Sequence, residues 1–334
     1  MKDQPDGIDE SVLRHALEDW GPGARALTYV PLGFGDYHWT ADATGGDRWF
    51  VTLSDLAEKY HCGIGVDAAW HGLNRAMDTA AALADRGLGS ADGGFVVAPL
   101  RTTGGETVRR IGERHDVAVF PWVDGVAGDF GDEPAAEDRT AAVEMLAALH
   151  RTEPPAATRA LSPELSARGR LEAALEAALA AVREPRTGGP WSEPARELLA
   201  EHGVGVRRRL DDFDRLAARV AARAAAPVVT HGEPHPGNVL RRGDRRLLLD
   251  WDTAGLAVPE RDLWLVARDA ADLDRYTELT GRVPDPDALA LYRLRWSLED
   301  VDAFLAWFRA PHTATADTDQ AWRGFADTVK SLQS

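Results

Sequence analysis

At 334 residues, with a formal net charge of −16 and a pI near 5.1, the chain is long enough to bury a sizeable core and to divide into two lobes. Its acidity argues against nucleic acid or an anionic membrane as a partner, since both select basic surfaces, and suits a cationic small molecule. Cys62 is the only cysteine, which excludes a disulfide framework and a cysteine-based zinc site; no apolar run approaches the ~18 residues of a membrane span and the start Met1-Lys2-Asp3 lacks a signal peptide's pattern, so a cytoplasmic location is expected.

Val12, Leu13, Ala16, Leu17 and Trp20 recur at helical spacing after Asp9, a suitable cap, and predict an opening helix over 9–20. Ala26 to Leu32 reads as a strand, Gly33-Phe34-Gly35 as a turn into a second strand, and Gly45-Gly46-Asp47 as a hairpin before a third over Arg48 to Leu53. Trp70, Leu73, Met77, Ala80, Ala81 and Ala84 share one face of an amphipathic helix over 66–86. Phe95 to Leu100 and Val117 to Phe120 predict two more strands, with Arg101 to Asp116 an exposed hairpin between them. Pro121-Trp122-Val123-Asp124-Gly125 breaks that pattern. Helices then follow over Ala135 to Arg151, Leu165 to Val182, and Pro194 to Ala225 with an interruption at Gly203-Val204-Gly205; their alanine richness marks helix propensity. A late amphipathic helix covers Leu289 to Phe308.

The densest chemistry lies in Val228 to Leu240 and in Leu247 to Asp252. Glu233 and Asn238 stand five positions apart, and Asp250 follows a hairpin over Leu240 to Leu249. Phosphoryl transfer of the kinase type uses a loop acid to accept the substrate hydroxyl's proton, an amide and a strand-end aspartate to hold magnesium. Magnesium takes hard oxygen ligands and keeps several waters, so two protein ligands are enough beside nucleotide phosphates. Taken singly, Asn238 beside Gly237 is a turn residue and Asp250 a strand end. The combination between two apolar strands is what points to a kinase site.

The run His231-Gly232-Glu233-Pro234-His235-Pro236-Gly237-Asn238, followed by Asp250-Trp251, resembles the signature of the aminoglycoside phosphotransferase and choline-kinase-like family: His-Gly-Asp-x-His-x-x-Asn, then Asp-Trp or Asp-Phe. Glu233 stands where the family usually has aspartate. The extra methylene moves the carboxylate by roughly a bond length, in chemistry where about 1 Å matters.

The resemblance implies an α+β, bilobal protein-kinase-like fold, with a small antiparallel-sheet lobe over 1–121 and a larger, mostly helical lobe over 122–334. It implies ATP or GTP and Mg²⁺ as cofactors, Glu233 as catalytic base, Asn238 and Asp250 as metal ligands, and His231 and His235 as supports of the loop. The acceptor would be a small-molecule hydroxyl, in the antibiotic branch an aminoglycoside or another sugar-containing antibiotic. Gly33 and Gly35 would cover the phosphates, and Phe120, Trp122 and Val123 would form the hinge that meets adenine. The strand position where kinases place a phosphate-binding lysine falls on Thr52. Only three lysines stand among 38 basic side chains, and Lys2 and Lys330 lie in the terminal tails, so Lys59 is the expected substitute. The helix over 66–86 contains no glutamate to pair with it, leaving Glu58, Asp67 or Asp78.

Pro259-Glu260-Arg261-Asp262-Leu263 resembles the family's Pro-x-x-Asp-Leu element, with Asp262 expected to cap the next helix. Asp252, Glu299, Asp300 and Asp302 are the acids expected to meet substrate amines. Three rival readings remain open: a hydrolytic zinc centre on His231, Glu233 and His235, which Pro234 and Pro236 disfavour by forbidding a regular helix; a nucleotide-binding protein without turnover; and a metabolic kinase of the choline, homoserine or sugar type.

Overall fold

The structure is a computed structural model that describes residues 1–5, 7–21, 24–43, 45–180 and 188–333, without the side chains of 24 and 25. Asp9 caps α1 (Glu10–Leu17), accepting the N–H groups of Ser11 and Val12 at 2.9 and 3.0 Å. Strands β1 (Ala24–Val30), β2 (Tyr37–Ala43), β3 (Arg48–Asp55), β4 (Val108–Ile111) and β5 (His115–Pro121) form an antiparallel sheet in the order β1-β2-β3-β5-β4. The twofold period of a strand sorts their side chains. Trp39, Ala41, Trp49, Val51, Leu53, Val117 and Val119 bury against Leu13 and Leu17 of α1 on one face. Phe50, Ala118 and Phe120 turn to the other, where Leu73 and Met77 of α2 (Val66–Leu83) cover them.

Two expectations for this region change. Strand β4 lies inside the segment expected as an exposed hairpin, because Val108 is buried against α2 and the tight turn at Gly112 returns the chain at once to β5. Phe95 to Leu100 is not a strand of this sheet: Val96 makes a parallel bridge to Leu248, Val97 N–H donates to Leu248 O at 3.1 Å, Leu248 N–H donates to Phe95 O at 2.7 Å, and only Leu100 reaches β5, its N–H donating to Val119 O at 2.7 Å.

The chain continues through β6 (Val126–Ala127), α3 (Ala136–His150), α4 (Arg168–Ala180), α5 (Ser192–Arg223), β7 (Val228–Thr230), β8 (Val239–Arg242), β9 (Arg245–Leu248), β10 (Gly255–Ala257), α6 (Glu260–Val266), α7 (Ala270–Thr280), α8 (Pro286–Arg309) and α9 (Ala316–Ser331). Strand β7 pairs with β10, and β6, β8 and β9 form a small antiparallel sheet. The end of the helix expected over Leu165 to Val182 lies outside the described residues. Helix α5 runs unbroken through Gly203-Val204-Gly205; the missing side chain at Gly205 leaves room for Gln333, which a Cβ there would meet at 2.3 Å.

The residues group into two compact units. Met1–Leu161 with Ala226–Pro284 hold all ten strands and α1, α2, α3, α6 and α7; the boundary expected near residue 121 falls within this unit. Ser162–Ala225 with Asp285–Ser334 hold α4, α5, α8 and α9, packed around buried Phe308 and Phe325, with the rings of Trp191 and Trp322 stacked 4.9 Å apart. Among the described residues, no helix is long and apolar enough to cross a membrane.

Candidate active site

The loop from His231 to Asn238 leaves β7 and is held from below by one carboxylate. Asp262, fully buried, accepts the N–H of His231 at 2.8 Å and that of Gly232 at 2.6 Å, and it also meets His150 Nε2 at 3.0 Å. Gly232 has φ +105°, and a Cβ there would lie 2.3 Å from the guanidinium of Arg261, so only glycine fits. The expected role of Asp262 as a helix cap is corrected: α6 begins at Glu260 behind Pro259, and Asp262 inside it turns its carboxylate to the loop amides.

His231 braces the loop to the strand beside it. Its Nδ1 accepts the N–H of Glu233 at 3.2 Å, and its Nε2–H donates to Leu249 O at 2.7 Å. Burial pushes its pKa down to about 4, keeping it neutral with both nitrogens engaged. A ring so committed has no lone pair for zinc, which removes the hydrolytic-metal reading. The edge of the ring packs on fully buried Trp251, 4.8 Å between centroids.

The same stitching draws Asn238 and Asp250 toward each other. Leu249 N–H donates to Asn238 O at 2.9 Å, continuing the β8–β9 register in which Val239 faces Leu248, so Asp250 is the next residue along. The Asn238 Nδ2 donates to Glu233 O at 3.0 Å and lies 3.2 Å from His235 Nε2, which leaves Oδ1 as the amide's accepting atom. Asp250 has φ +57°, a left-handed conformation that aspartate and asparagine tolerate better than most side chains.

Five carboxyls meet here. Burial, then the charge of Asp252, pushes Glu233 up to about 7, and the same two causes raise Asp250 well above the usual carboxylate range. Asp116, on β5 opposite Ser54 of β3, is 1% exposed, and burial followed by the Asp36 charge raises it as well. Against them stand Lys59 and His61. The Lys59 ammonium donates to Asp36 Oδ2 at 2.7 Å and to Asp252 Oδ2 at 2.5 Å, and His61 Nε2 lies 3.1 Å from the same Asp252 oxygen. Against a burial penalty that acts the other way, these two cations hold Asp252 well below its ordinary pKa. Burial and neighbouring negative charge thus disfavour the ionised forms of Glu233 and Asp250, which positive charge nearby would favour.

Lys59 reaches this position because its loop packs closely on α2. A Cβ at Gly72 would lie 1.9 Å from Cys62 O. Arg159, 8% exposed, clamps the same loop, donating to Cys62 O at 2.8 Å and to Asp252 O at 3.3 Å. The three acids expected as partners of Lys59 are engaged by other groups: Glu58 lies 4.0 Å from Arg114, Asp67 binds Arg110 at 2.8 Å, and Asp78 accepts the Thr107 hydroxyl at 2.8 Å. Thr52, at the usual lysine position, bonds His38 at 3.2 Å, and burial holds that imidazole near pKa 4, so it supplies no charge.

Gly33 and Gly35, with φ of +69° and +102°, form the turn between β1 and β2 that ends at Asp36. At the expected hinge, Phe120 is buried in the α2 core and Val123 packs with Val97 and Leu240. The Trp122 N–H is committed to Arg48 O at 2.9 Å, and the Arg48 guanidinium lies over its ring at 4.1 Å. Of the acids expected at substrate amines, Asp252 is instead the partner of Lys59. Asp302 grips Arg170 at 2.5 Å and Glu299 binds Arg295 at 2.9 Å, both within the helical unit, where Asp300 also lies. Asp36, His61, Asp116 and Arg159 had no sequence signal: each comes from a different segment, and only folding brings them together.

The profile of the phosphotransferase enzyme family matches residues 40–292. No match was found among curated proteins. Solved structures similar to this chain include a spectinomycin phosphotransferase in complex with ADP and spectinomycin, with a TM-score of 0.70 and 14% identity over 98% of this chain and 99% of that one. A microcompartment-associated aminopropanol kinase gives 0.61 and 15% over 97% of each. The apoenzyme of a macrolide 2'-phosphotransferase from Brachybacterium faecium gives 0.51 and 17% over 94% of this chain and 97% of its own. Identities this low speak for the fold alone, whereas the profile spans most of the chain. The chain belongs to the phosphotransferase enzyme family and is a phosphotransferase of α+β, kinase-like fold.

Proposed function

We propose that the protein transfers the γ-phosphoryl group of ATP or GTP, with Mg²⁺, to a hydroxyl of an amine- or sugar-containing antibiotic such as an aminoglycoside, for resistance or self-protection. One observation supports this best: His231 and Asn238 stitch the loop to Leu249, so that Glu233, Asn238 and Asp250 converge from two segments on one spot.

In this reading Glu233 aligns the acceptor hydroxyl and takes its proton, which a carboxyl with a pKa near 7 does well at neutral pH. Asn238 Oδ1 and Asp250 would hold the magnesium, whose charge would offset that developing on the transferred group. Lys59 would donate to the nucleotide phosphates under the Gly33–Gly35 turn. The Trp122 amide is occupied by Arg48 and the Phe120 backbone pairs with Phe50 of β3, so an adenine edge would meet the backbone of Val123. The brace through Asp262 and His231 fixes the loop, and in phosphoryl transfer positioning supplies much of the rate.

The spectinomycin and macrolide enzymes of like fold favour an antibiotic acceptor; the aminopropanol kinase keeps a metabolic alcohol as the second reading. A coupled ADP-release assay over a panel of antibiotics, choline, homoserine, amino alcohols and sugars tests both. Magnesium-dependent release with an antibiotic is expected. Release only with a metabolic alcohol would support the second reading, and no release with any acceptor, together with no melting shift from MgATP, would sink both.

A further inference from the structure

In kinases a helix acid holds the phosphate-binding lysine in place, and here no such acid reaches Lys59. Besides Asp252, the acid that does is Asp36. It directly follows Gly35, is 8% exposed, and gives one carboxylate oxygen to the Lys59 ammonium at 2.7 Å while its other oxygen is buried without a hydrogen-bond partner. Nothing in the sequence pattern marks it, since it reads as the polar end of a glycine turn.

We propose that Asp36 is the positioning residue of the nucleotide site, holding Lys59 against the glycine turn in place of the absent helix acid. The inference rests on the reading of Lys59 as the phosphate-binding cation. A lysine ammonium has three donors. Asp36 and Asp252 take two, which fixes the direction of the third toward a phosphate oxygen. The two partners come from opposite sides of the site: Asp36 from the turn between β1 and β2, Asp252 from two residues beyond Asp250. One ammonium thus ties the phosphate-covering turn to the segment that carries Asp250. Without Asp36, Lys59 keeps its charge but swings to Asp252 alone, and the turn loses its tie to Lys59.

The test uses the full chain. Asp36→Asn keeps the size and one acceptor oxygen but removes the charge; Asp36→Glu keeps the charge. Calorimetric titration with MgADP and the Michaelis constant for ATP are read alongside turnover and melting temperature. Asp36→Asn should weaken MgADP and raise the Michaelis constant for ATP by ~10-fold or more, with turnover at saturating ATP within about threefold of the parent, as expected when uniform binding is lost. Asp36→Glu should recover part of that affinity, and Glu58→Gln should leave it unchanged. Parental affinity in Asp36→Asn would overturn the proposal. So would a loss that Asp36→Glu does not recover and that tracks a lowered melting temperature, since that marks a structural role only. If the parent protein binds neither MgATP nor MgADP, the nucleotide reading itself fails and this inference goes with it.

Discussion

Glu233→Gln should make the protein more stable and nearly inactive, and only at one end of the pH range will both effects show. Folding raises this carboxyl from 4.5 to about 7, through burial and then the Asp252 charge. The folded state therefore prefers the protonated form. The resulting penalty is absent below pH 4.5, grows as pH rises from there to about 7, and is complete above it at about 3 kcal/mol. At pH 5 the same relation leaves less than about 1 kcal/mol. Glutamine keeps the shape and removes the titration, so differential scanning fluorimetry without nucleotide should show a higher melting temperature at pH 8, by at most roughly 10 °C, and little change at pH 5. Turnover in the ADP-release assay should fall ~10²-fold or more at pH 8 and by much less at pH 5, where the parent's own Glu233 is largely protonated. Turnover like the parent's at pH 8 would refute the role of Glu233 as base, and an equal melting gain at both pH values would refute the electrostatic account.

Three further perturbations test the rest of the site. Asp250→Asn suits the left-handed backbone and removes a carboxyl whose ionised form burial disfavours, so it should keep or raise the melting temperature while lowering transfer by ~10²–10³-fold; a folded variant with parental rate would remove Asp250 from the metal site. Lys59→Ala leaves Asp36 buried without a cation and Asp252 with His61 alone, so beyond raising the Michaelis constant for ATP it should destabilise by ~3 kcal/mol or more, and an unchanged urea midpoint would mean the ion pairs do not hold the loop. Asp262→Ala strips the acceptor from two loop amides and should lower both stability, by ~2–4 kcal/mol, and turnover; a loss of stability with full turnover would show that the loop does not need that anchor.

The sequence carried most where the chemistry is contiguous. His231 to Asn238 and Asp250 fall within one stretch, and their spacing is enough to predict both the loop and the strand beside it. Lys59 could be found only through composition, because its place in space depends on Gly72 and Arg159, which read as an unremarkable helix glycine and a loop arginine. Asp36 and Asp116 were invisible, since an acid after a turn and an acid in a strand acquire meaning only through what lies opposite. The fold shows the same division. Apolar periodicity located α2 and alanine-rich, helix-favouring composition located α3 within a few residues, whereas four-residue β4, with two arginines at its centre, was hidden by its own composition.

Lys59 has a practical consequence. A compact ammonium fits between two carboxylates where the planar fork of arginine would not, in a chain that otherwise chooses arginine almost everywhere. Its amine is buried and held protonated, its pKa pushed well above the ordinary value by Asp252 and Asp36 in spite of burial. Acylating reagents should therefore spare it in the folded chain and tag it once its loop lifts, so a single peptide in a mass spectrum becomes a built-in reporter of whether this interior is closed.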